Sequence, residues 1–140
     1  MGDHRTRSAG ARQGPYRAAA SAARMSVSVA EHEGYAVVTV VGEVDVTTGF
    51  RLRDPLHELV SRKLWHHVVD LSAVTFLDST GLGILVGDHK RLRDRGGSLQ
   101  VVCTPGLVSR VFRLTGVDRV VPVRPSVETA VEILTQPDSA

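Results

Sequence analysis

The sequence is poor in cysteine, lysine and aromatic residues, and it has no long apolar run. Its one cysteine excludes an internal disulfide and is typical of a reducing compartment, so we expect a cytoplasmic protein. No apolar stretch approaches the ~20 residues that a membrane helix needs, and the N-terminus lacks the apolar segment of a secretory signal. We therefore expect no membrane partner. Because aromatic residues make up only 4%, aliphatic side chains must build the core.

Excess basic charge is also missing from most of the chain, although the formal net charge is +2. Residues 1–24 hold five arginines against one aspartate, which gives a local charge of +4. The rest of the chain holds 12 basic and 14 acidic residues, which gives −2. A nucleic-acid-binding domain presents a basic face, so we expect no nucleic-acid partner.

The length of 140 residues predicts a single folded domain. Residues 1–24 have too few large apolar side chains to pack against a core. We predict a disordered extension at 1–24 and the folded domain at 25–136. The extension is rich in arginine, alanine and serine, which is also a feature of organelle transit peptides.

Apolar patterns predict an α/β fold with the element order β-β-α-β-α-β-α-β-α. The strands are expected at 26–30, 35–41, 67–71, 99–102 and 119–123. Strands that alternate with helices indicate a mixed, partly parallel sheet covered by helices.

Four sets of apolar residues at helical spacing predict the helices. The first contains Pro55, so it either begins at Asp54, with the proline in its first turn, or is kinked at the proline. The second is expected from Leu82 to about Arg95. Thr104 and Pro105 are expected to start the third, with Thr104 as its N-cap, and Gly116 to end it. Ser126 is expected to cap the fourth.

The stretch FLDSTGLG, at 76–83, is compatible with a phosphate cradle, a nucleophile, a helix cap or a modified residue. A dinucleotide fingerprint is not met, because Val86 stands where the third glycine is required, and no G-K-[ST] is present. A nucleophile elbow is not met either, because Leu77 replaces its first glycine. His66, His67 and Cys103 form no ligand set of known spacing. We therefore expect no metal, no cofactor and no catalysis, with solvated or partly packed histidines and a buried Cys103.

Asp78, Ser79 and Thr80 lie where a predicted strand is followed by a helix. Unpaired backbone N–H groups at a helix start favour an anion, so a phosphate on Ser79 could be held there. Asp45 would lie nearby if the ends of the two strands are adjacent. A helix cap and a phosphorylation site both remain open on this reasoning, and Ser79 and Thr80 are nearly equivalent acceptors.

Four stretches resemble the STAS domain of bacterial anti-sigma factor antagonists: GEVD at 42–45, VVDLSAVTFLDSTGLGILVG at 68–87, GGSLQVV at 96–102 and VFRLTGVDRVVPV at 111–123. The resemblance runs from about Ser26 to Leu134. It implies a mixed sheet of about four to five strands covered by about four helices. It also implies phosphorylation at Ser79, with Thr80 as a secondary candidate. The partner-binding residues that it implies are Asp45, Asp78, Ser79, Thr80, Gly81, Leu82 and Gly83.

The resemblance further implies a partner-switching cycle in sigma factor regulation, of the kind used in stress response or sporulation. The unphosphorylated protein would bind an anti-sigma factor with serine kinase activity and so release a sigma factor. The kinase would phosphorylate Ser79 with ATP, and a serine phosphatase would reverse this. We expect a monomer or weak dimer. The alternatives are a STAS scaffold or sensor without phosphorylation, and a nucleotide-binding protein. Pro55 and the arginine-rich extension depart from the family pattern.

Overall fold

A single sheet forms the centre of the computed structural model, which describes residues 8–9 and 24–136. The strands are β1 (Ser8–Ala9), β2 (Met25–His32), β3 (Tyr35–Val44), β4 (His66–Leu77), β5 (Ser98–Val102) and β6 (Val123–Arg124). The helices are α1 (Phe50–Ser61), α2 (Ser79–Arg93), α3 (Leu107–Thr115) and α4 (Val127–Thr135), with a 3₁₀ turn at Val117–Arg119. The predicted α/β class and element order are confirmed, with the two-residue β1 as an addition.

The strands lie side by side in the order in which they occur along the chain. β2 is antiparallel to both of its neighbours, β1 and β3, and β3 to β6 are mutually parallel. β4 is the longest strand, with 12 residues. It pairs with β5 only from His66 to Asp70, whereas its pairing with β3 continues to Leu77. The second half of β4 therefore projects past β5.

Helices cover the two faces of the sheet unequally. In β4, Val69 belongs to the main core with α1, α2 and α3, whereas its neighbour Val68 packs with Ala130 of α4. Successive strand residues point to opposite faces, so the first three helices share one face and α4 lies on the other. This arrangement explains why the run from His67 to Val69 is fully buried.

Helix α1 runs through Pro55, so of the two alternatives for this helix the start at Asp54 is wrong. The helix begins four residues earlier, at Phe50, with tight bonds from Arg51 N to Thr48 O and from Leu52 N to Gly49 O. Its inward-facing leucines, at positions 52, 56 and 59, are at most 1% exposed. Their burial offsets the hydrogen bond that a proline inside a helix removes.

The predicted start of α3 at Thr104 and Pro105 is also wrong. The helix begins at Leu107, after Gly106. The Ser109 hydroxyl accepts a hydrogen bond from Gly106 N at 2.9 Å and donates to Gly106 O at 3.0 Å. Ser109 therefore supplies the side-chain bonds that we had assigned to Thr104. Gly116 ends the helix with φ +79°, as predicted.

The predicted strand at 119–123 is mostly not a strand. A 3₁₀ turn occupies Val117–Arg119, Val120 N and Val121 N donate to Val117 O, and β6 is restricted to Val123–Arg124. The apolar residues that suggested a strand serve packing instead, because Val121 is fully buried. Ser126 caps α4 as predicted, accepting a bond from Thr129 N at 3.1 Å.

The predicted disordered extension lies outside the described residues, apart from β1 and Arg24. β1 pairs with β2, Ser8 opposite Ser28 and Ala9 opposite Val27. In the part of the chain that the structure describes, no helix is both long and apolar enough to cross a membrane.

Candidate functional site

The register of β3 and β4 brings the two acidic motifs of the sequence to one end of the sheet. Val44 pairs with Leu77, and Asp78 N donates to Val44 O at 3.3 Å. Because the strands are parallel, their carboxyl ends meet, and the residues that follow each strand are neighbours. Asp45 and Asp78 thus stand side by side, with Ser79 next along the chain.

Asp45 is held in a tight turn by the two threonines that follow it. Its Oδ1 accepts hydrogen bonds from Thr47 N at 2.9 Å, from Thr47 Oγ1 at 2.8 Å and from Thr48 N at 3.1 Å. Its Oδ2 pairs with Arg24 at 2.6 Å. The Thr47 hydroxyl is the largest cause that lowers the pKa of Asp45, and Arg24 adds to it. The carboxylate is therefore fixed and ionised at neutral pH.

Asp78 caps helix α2. Its backbone is extended, and its Oδ1 accepts bonds from Thr80 N at 2.9 Å and Gly81 N at 3.3 Å. The helix begins at Ser79, three residues before the predicted start at Leu82. The cap alternative is therefore confirmed for Asp78, which leaves the serine hydroxyl unused by the cap.

Ser79 and Thr80 differ in accessibility, although the sequence alone made them nearly equivalent. Ser79 is exposed, and among the described residues none hydrogen-bonds to its hydroxyl. Thr80 is half-buried, and its methyl group faces α1: a Cβ at Gly49 would lie 3.0 Å from Thr80 Cγ2. A kinase would therefore reach Ser79 more easily than Thr80.

The remaining predicted residues divide between core and surface. A Cβ at Gly81 would lie 2.3 Å from Leu77 Cδ1 and 2.9 Å from Val44 Cγ1, so only glycine fits without displacement. Leu82 is half-buried against the main core. Gly83 is exposed, with no atom within 4 Å of an added Cβ. Gly81 and Leu82 therefore serve packing, and Gly83 lies on the accessible face.

Three exposed apolar residues at this end of the sheet were missed by the sequence analysis. Val46 is 76% exposed, and Phe50 and Phe76 are each 44% exposed. They come from the turn after β3, the start of α1 and the end of β4. We call them the apolar rim. A signal was present in the sequence, since Phe76 directly precedes Leu77 in a strand and must point to the opposite face.

The expectation of solvated or partly packed histidines is wrong for His67. Its ring is fully buried, with Nδ1 2.7 Å from Asp88 Oδ2 and Nε2 2.9 Å from Leu64 O. His66 lies beside it, half-buried, and its pKa is lowered by desolvation and by the charge of His67. Cys103 is buried as predicted. Its burial, and then the charge of Asp70, raise the pKa of the thiol.

The described residues offer few features of a metal site or a nucleotide site. They contain no cluster of three or more His, Cys, Asp or Glu side chains that could hold a metal ion. A cleft of about 140 Å³ lies between the projecting half of β4 and the turn before α3. Small-molecule sites are usually ~300–1,000 Å³, so this cleft is too small for a nucleotide.

Known proteins resemble this chain in sequence and in fold. The model of the STAS domain family matches residues 26–130. The anti-sigma-F factor antagonist RsfB of Mycobacterium tuberculosis is 36% identical over 97 residues, which cover 68% of this chain and 77% of the relative. The anti-sigma-B factor antagonist of Bacillus subtilis is 31% identical over 108 residues, which cover 77% of this chain and 98% of the relative.

A solved structure agrees with these relatives. The crystal structure of an anti-sigma factor antagonist from Mycobacterium paratuberculosis superposes with a TM-score of 0.74 at 33% identity. The superposition covers 80% of this chain and 95% of that one. The chain therefore belongs to the STAS domain family, in the group that contains the bacterial anti-sigma factor antagonists.

Proposed function

We propose that this protein is a cytoplasmic anti-sigma factor antagonist whose binding is switched off by phosphorylation at Ser79. The observation that carries the proposal is the state of the Ser79 hydroxyl. It is exposed and not used by the helix cap, and it lies beside two carboxylates that the fold holds in place. The names of the relatives support the role.

The unmodified surface suits a protein partner. The apolar rim offers side chains that gain free energy when a partner removes them from water. An anti-sigma factor that docks there would cover Ser79 and Gly83. Binding would release the sigma factor that the anti-sigma factor otherwise holds.

Phosphorylation would change this surface by electrostatics. A phosphoserine carries a charge of about −1.5 to −2 at pH 7. Placed at Ser79, it would add to the charges of Asp78 and Asp45 and introduce a strongly hydrated group beside the apolar rim. Binding would then require desolvating that charge, which is costly without a paired cation. A partner with acidic groups at the contact would also be repelled.

The covalent chemistry belongs to the partners, and this chain is the substrate. A serine kinase transfers the γ-phosphoryl group of ATP to Ser79 Oγ, with ADP as leaving group and loss of the hydroxyl proton. A serine phosphatase adds water, which restores serine and releases inorganic phosphate. We infer that the chain itself catalyses neither step.

A phosphorylation assay with a candidate anti-sigma factor kinase tests the proposal. With ATP, we expect mass spectrometry to find one phosphate on Ser79 and none in Ser79→Ala. Ser79→Asp should lose binding, whereas Ser79→Ala should keep it. As a control, Ser61→Ala removes an exposed serine at the last residue of α1 and should change neither result. Unchanged binding of Ser79→Asp, or phosphate on another residue, would contradict the proposal.

Failure to find any phosphate with such kinases would favour the alternative of a scaffold or sensor without a switch. The nucleotide-binding alternative is disfavoured by Val86 at the third glycine position. Hydrolysis of ATP by the protein alone is the measurement that would revive it.

A further inference from the structure

The start of α2 has fewer donors for a phosphate than the sequence suggested. The N–H groups of Thr80 and Gly81 already donate to the Asp78 carboxylate, and Leu82 N donates to Asp78 O at 3.0 Å. The expectation that unpaired N–H groups would hold the phosphate is therefore wrong for these residues. Of the first four N–H groups of α2, only that of Ser79 has no hydrogen-bond partner among the described residues. A phosphate with three acceptor oxygens therefore needs a further donor from elsewhere, or it must displace Asp78.

Arg24 is placed to be that donor. It directly precedes β2, and its guanidinium reaches Asp45 Oδ2 at 2.6 Å. Asp45 follows the central strand β3, with Arg24 coming from one side and Asp78 lying on the other. The arginine side chain is 45% exposed, so water and neighbouring anions have access to it.

The backbone of Arg24 is held in place, so its side chain extends from a defined position beside the site. Arg24 O lies so close to Gly42 that a Cβ there would be 2.0 Å away. Gly42 has φ +103°, a conformation that glycine adopts without strain. Any side chain at position 42 would push the chain at Arg24 out of place, so glycine keeps the arginine anchored beside the site.

Asp45 does not depend on Arg24 to stay in its turn. Its Oδ1 takes bonds from Thr47 and Thr48, while Arg24 contacts Oδ2. A phosphate monoester has more charge than a carboxylate and three acceptor oxygens, and arginine binds such groups with two parallel N–H bonds. Transfer of the guanidinium from Asp45 to a phosphate would thus leave the turn intact.

We propose that Arg24 reads the phosphorylation state: it pairs with Asp45 in the unmodified protein and with the phosphate once Ser79 is modified. This inference rests on the proposed function. It assigns a role to a residue that joins the folded domain to the arginine-rich extension. Phosphorylation then changes the position of the guanidinium as well as the charge of the surface.

The test is a ³¹P NMR titration of the full chain with phosphoserine incorporated at position 79 during translation. A cation in contact favours the dianion and lowers the second pKa of the phosphate. We expect Arg24→Gln to raise that pKa by about half a unit, because an exposed ion pair is weak. Arg24→Lys should retain most of the lowering. Arg53→Gln removes the same charge from an exposed arginine that pairs with Asp54 at 3.0 Å, and it should leave the pKa nearly unchanged.

Equal pKa values in the unsubstituted protein and Arg24→Gln would overturn the inference. An equal rise in Arg53→Gln would do so as well, because it would indicate a general field and not a contact. No kinase is needed, since the phosphate is installed during translation. The proposed function fails separately, if binding to the anti-sigma factor is the same with serine and with phosphoserine at position 79.

Discussion

The two glycines in the first two turns of α2 have different surroundings. Gly81 is enclosed by Leu77 and Val44, whereas Gly83 faces open space. From the sequence, both are expected to contribute to partner binding, and this stays a prediction. Gly83 could contact a partner directly, whereas Gly81 would act through the packing of the helix start.

Matched alanine substitutions separate these two glycines. Gly83→Ala should stabilise the protein by up to about 1 kcal/mol, because alanine is the better helix former and meets nothing. Gly81→Ala should be less stable than Gly83→Ala by about 1–3 kcal/mol, because its methyl group overpacks the core. Urea unfolding of both variants measures this difference. Equal stabilities would show that the core at Gly81 yields without cost.

Asp45 gives the protein a predictable response to acid. Its folded-state pKa is lowered below the ordinary 3.8, chiefly by the Thr47 hydroxyl. The stability this provides is therefore present above the pKa of the unfolded chain and is lost as pH falls through the lower folded-state value. Asp45→Asn should flatten the dependence of unfolding free energy on pH below the ordinary pKa of 3.8. An unchanged slope in urea melts across this range would contradict the assignment.

At the scale of whole elements, the sequence predicted the helices and strands that have repeating apolar patterns. It did not predict the helix boundaries that depend on a single side chain or turn. Strands and helices with long apolar patterns occur in the predicted order, because a core needs a continuous face. The predicted end of the third strand at Leu71 is wrong, since β4 continues for six more residues to Leu77. The start of α3 was missed, because a single hydroxyl, that of Ser109, determines it. The start of α1 was missed because Thr48 and Gly49 accept its first bonds, and their spacing resembles that of any turn.

The pair of His67 and Asp88 joins two elements, the start of β4 and the middle of α2. Both side chains are fully buried and 2.7 Å apart, and Arg91 adds a weaker contact at 3.7 Å from Asp88 Oδ1. Spacing along the sequence could not reveal this pair, because its members are 21 residues apart. It ties the helix that carries Ser79 to the sheet.

A double-mutant cycle tests how strongly this pair couples the helix to the sheet. Asp88→Val alone leaves a buried histidine without its partner and should cost about 3 kcal/mol or more. The double variant His67→Leu/Asp88→Val removes both polar groups, so it should lose clearly less than the sum of the single changes. Urea titration gives the free energy of unfolding of the unsubstituted protein, of His67→Leu, of Asp88→Val and of the double variant. Additive losses would mean that the two residues act independently.

At the scale of the whole molecule, the site is assembled by the register between two parallel strands. The sequence predicted that Asp45 and Ser79 meet only if their strands were adjacent, a condition that no local pattern could settle. The pairing of Val44 with Leu77 shows that the two strands are adjacent. The apolar rim could not be predicted in the same way, because exposure depends on which helices leave an end of the sheet uncovered.

The apolar rim makes a prediction about partner binding. Phe76→Ala should weaken binding to the anti-sigma factor about tenfold, because aromatic residues at the centre of an interface carry much of its energy. Leu114→Ala is the control, since that leucine is 76% exposed on α3. Calorimetric titration gives the two affinities. Comparable losses in both variants, or none in Phe76→Ala, would place the interface elsewhere.

The margin of the sheet that follows β5 is formed by a strand of only two residues, Val123–Arg124. A short edge strand leaves few backbone groups for another sheet to pair with, so identical molecules have little means of joining through this margin. This matters for a protein that is proposed to act by stoichiometry, one molecule for each anti-sigma factor it occupies. Molecules that joined into polymers would not be available to bind the anti-sigma factor. The amount of protein needed to release a sigma factor would then be less well defined.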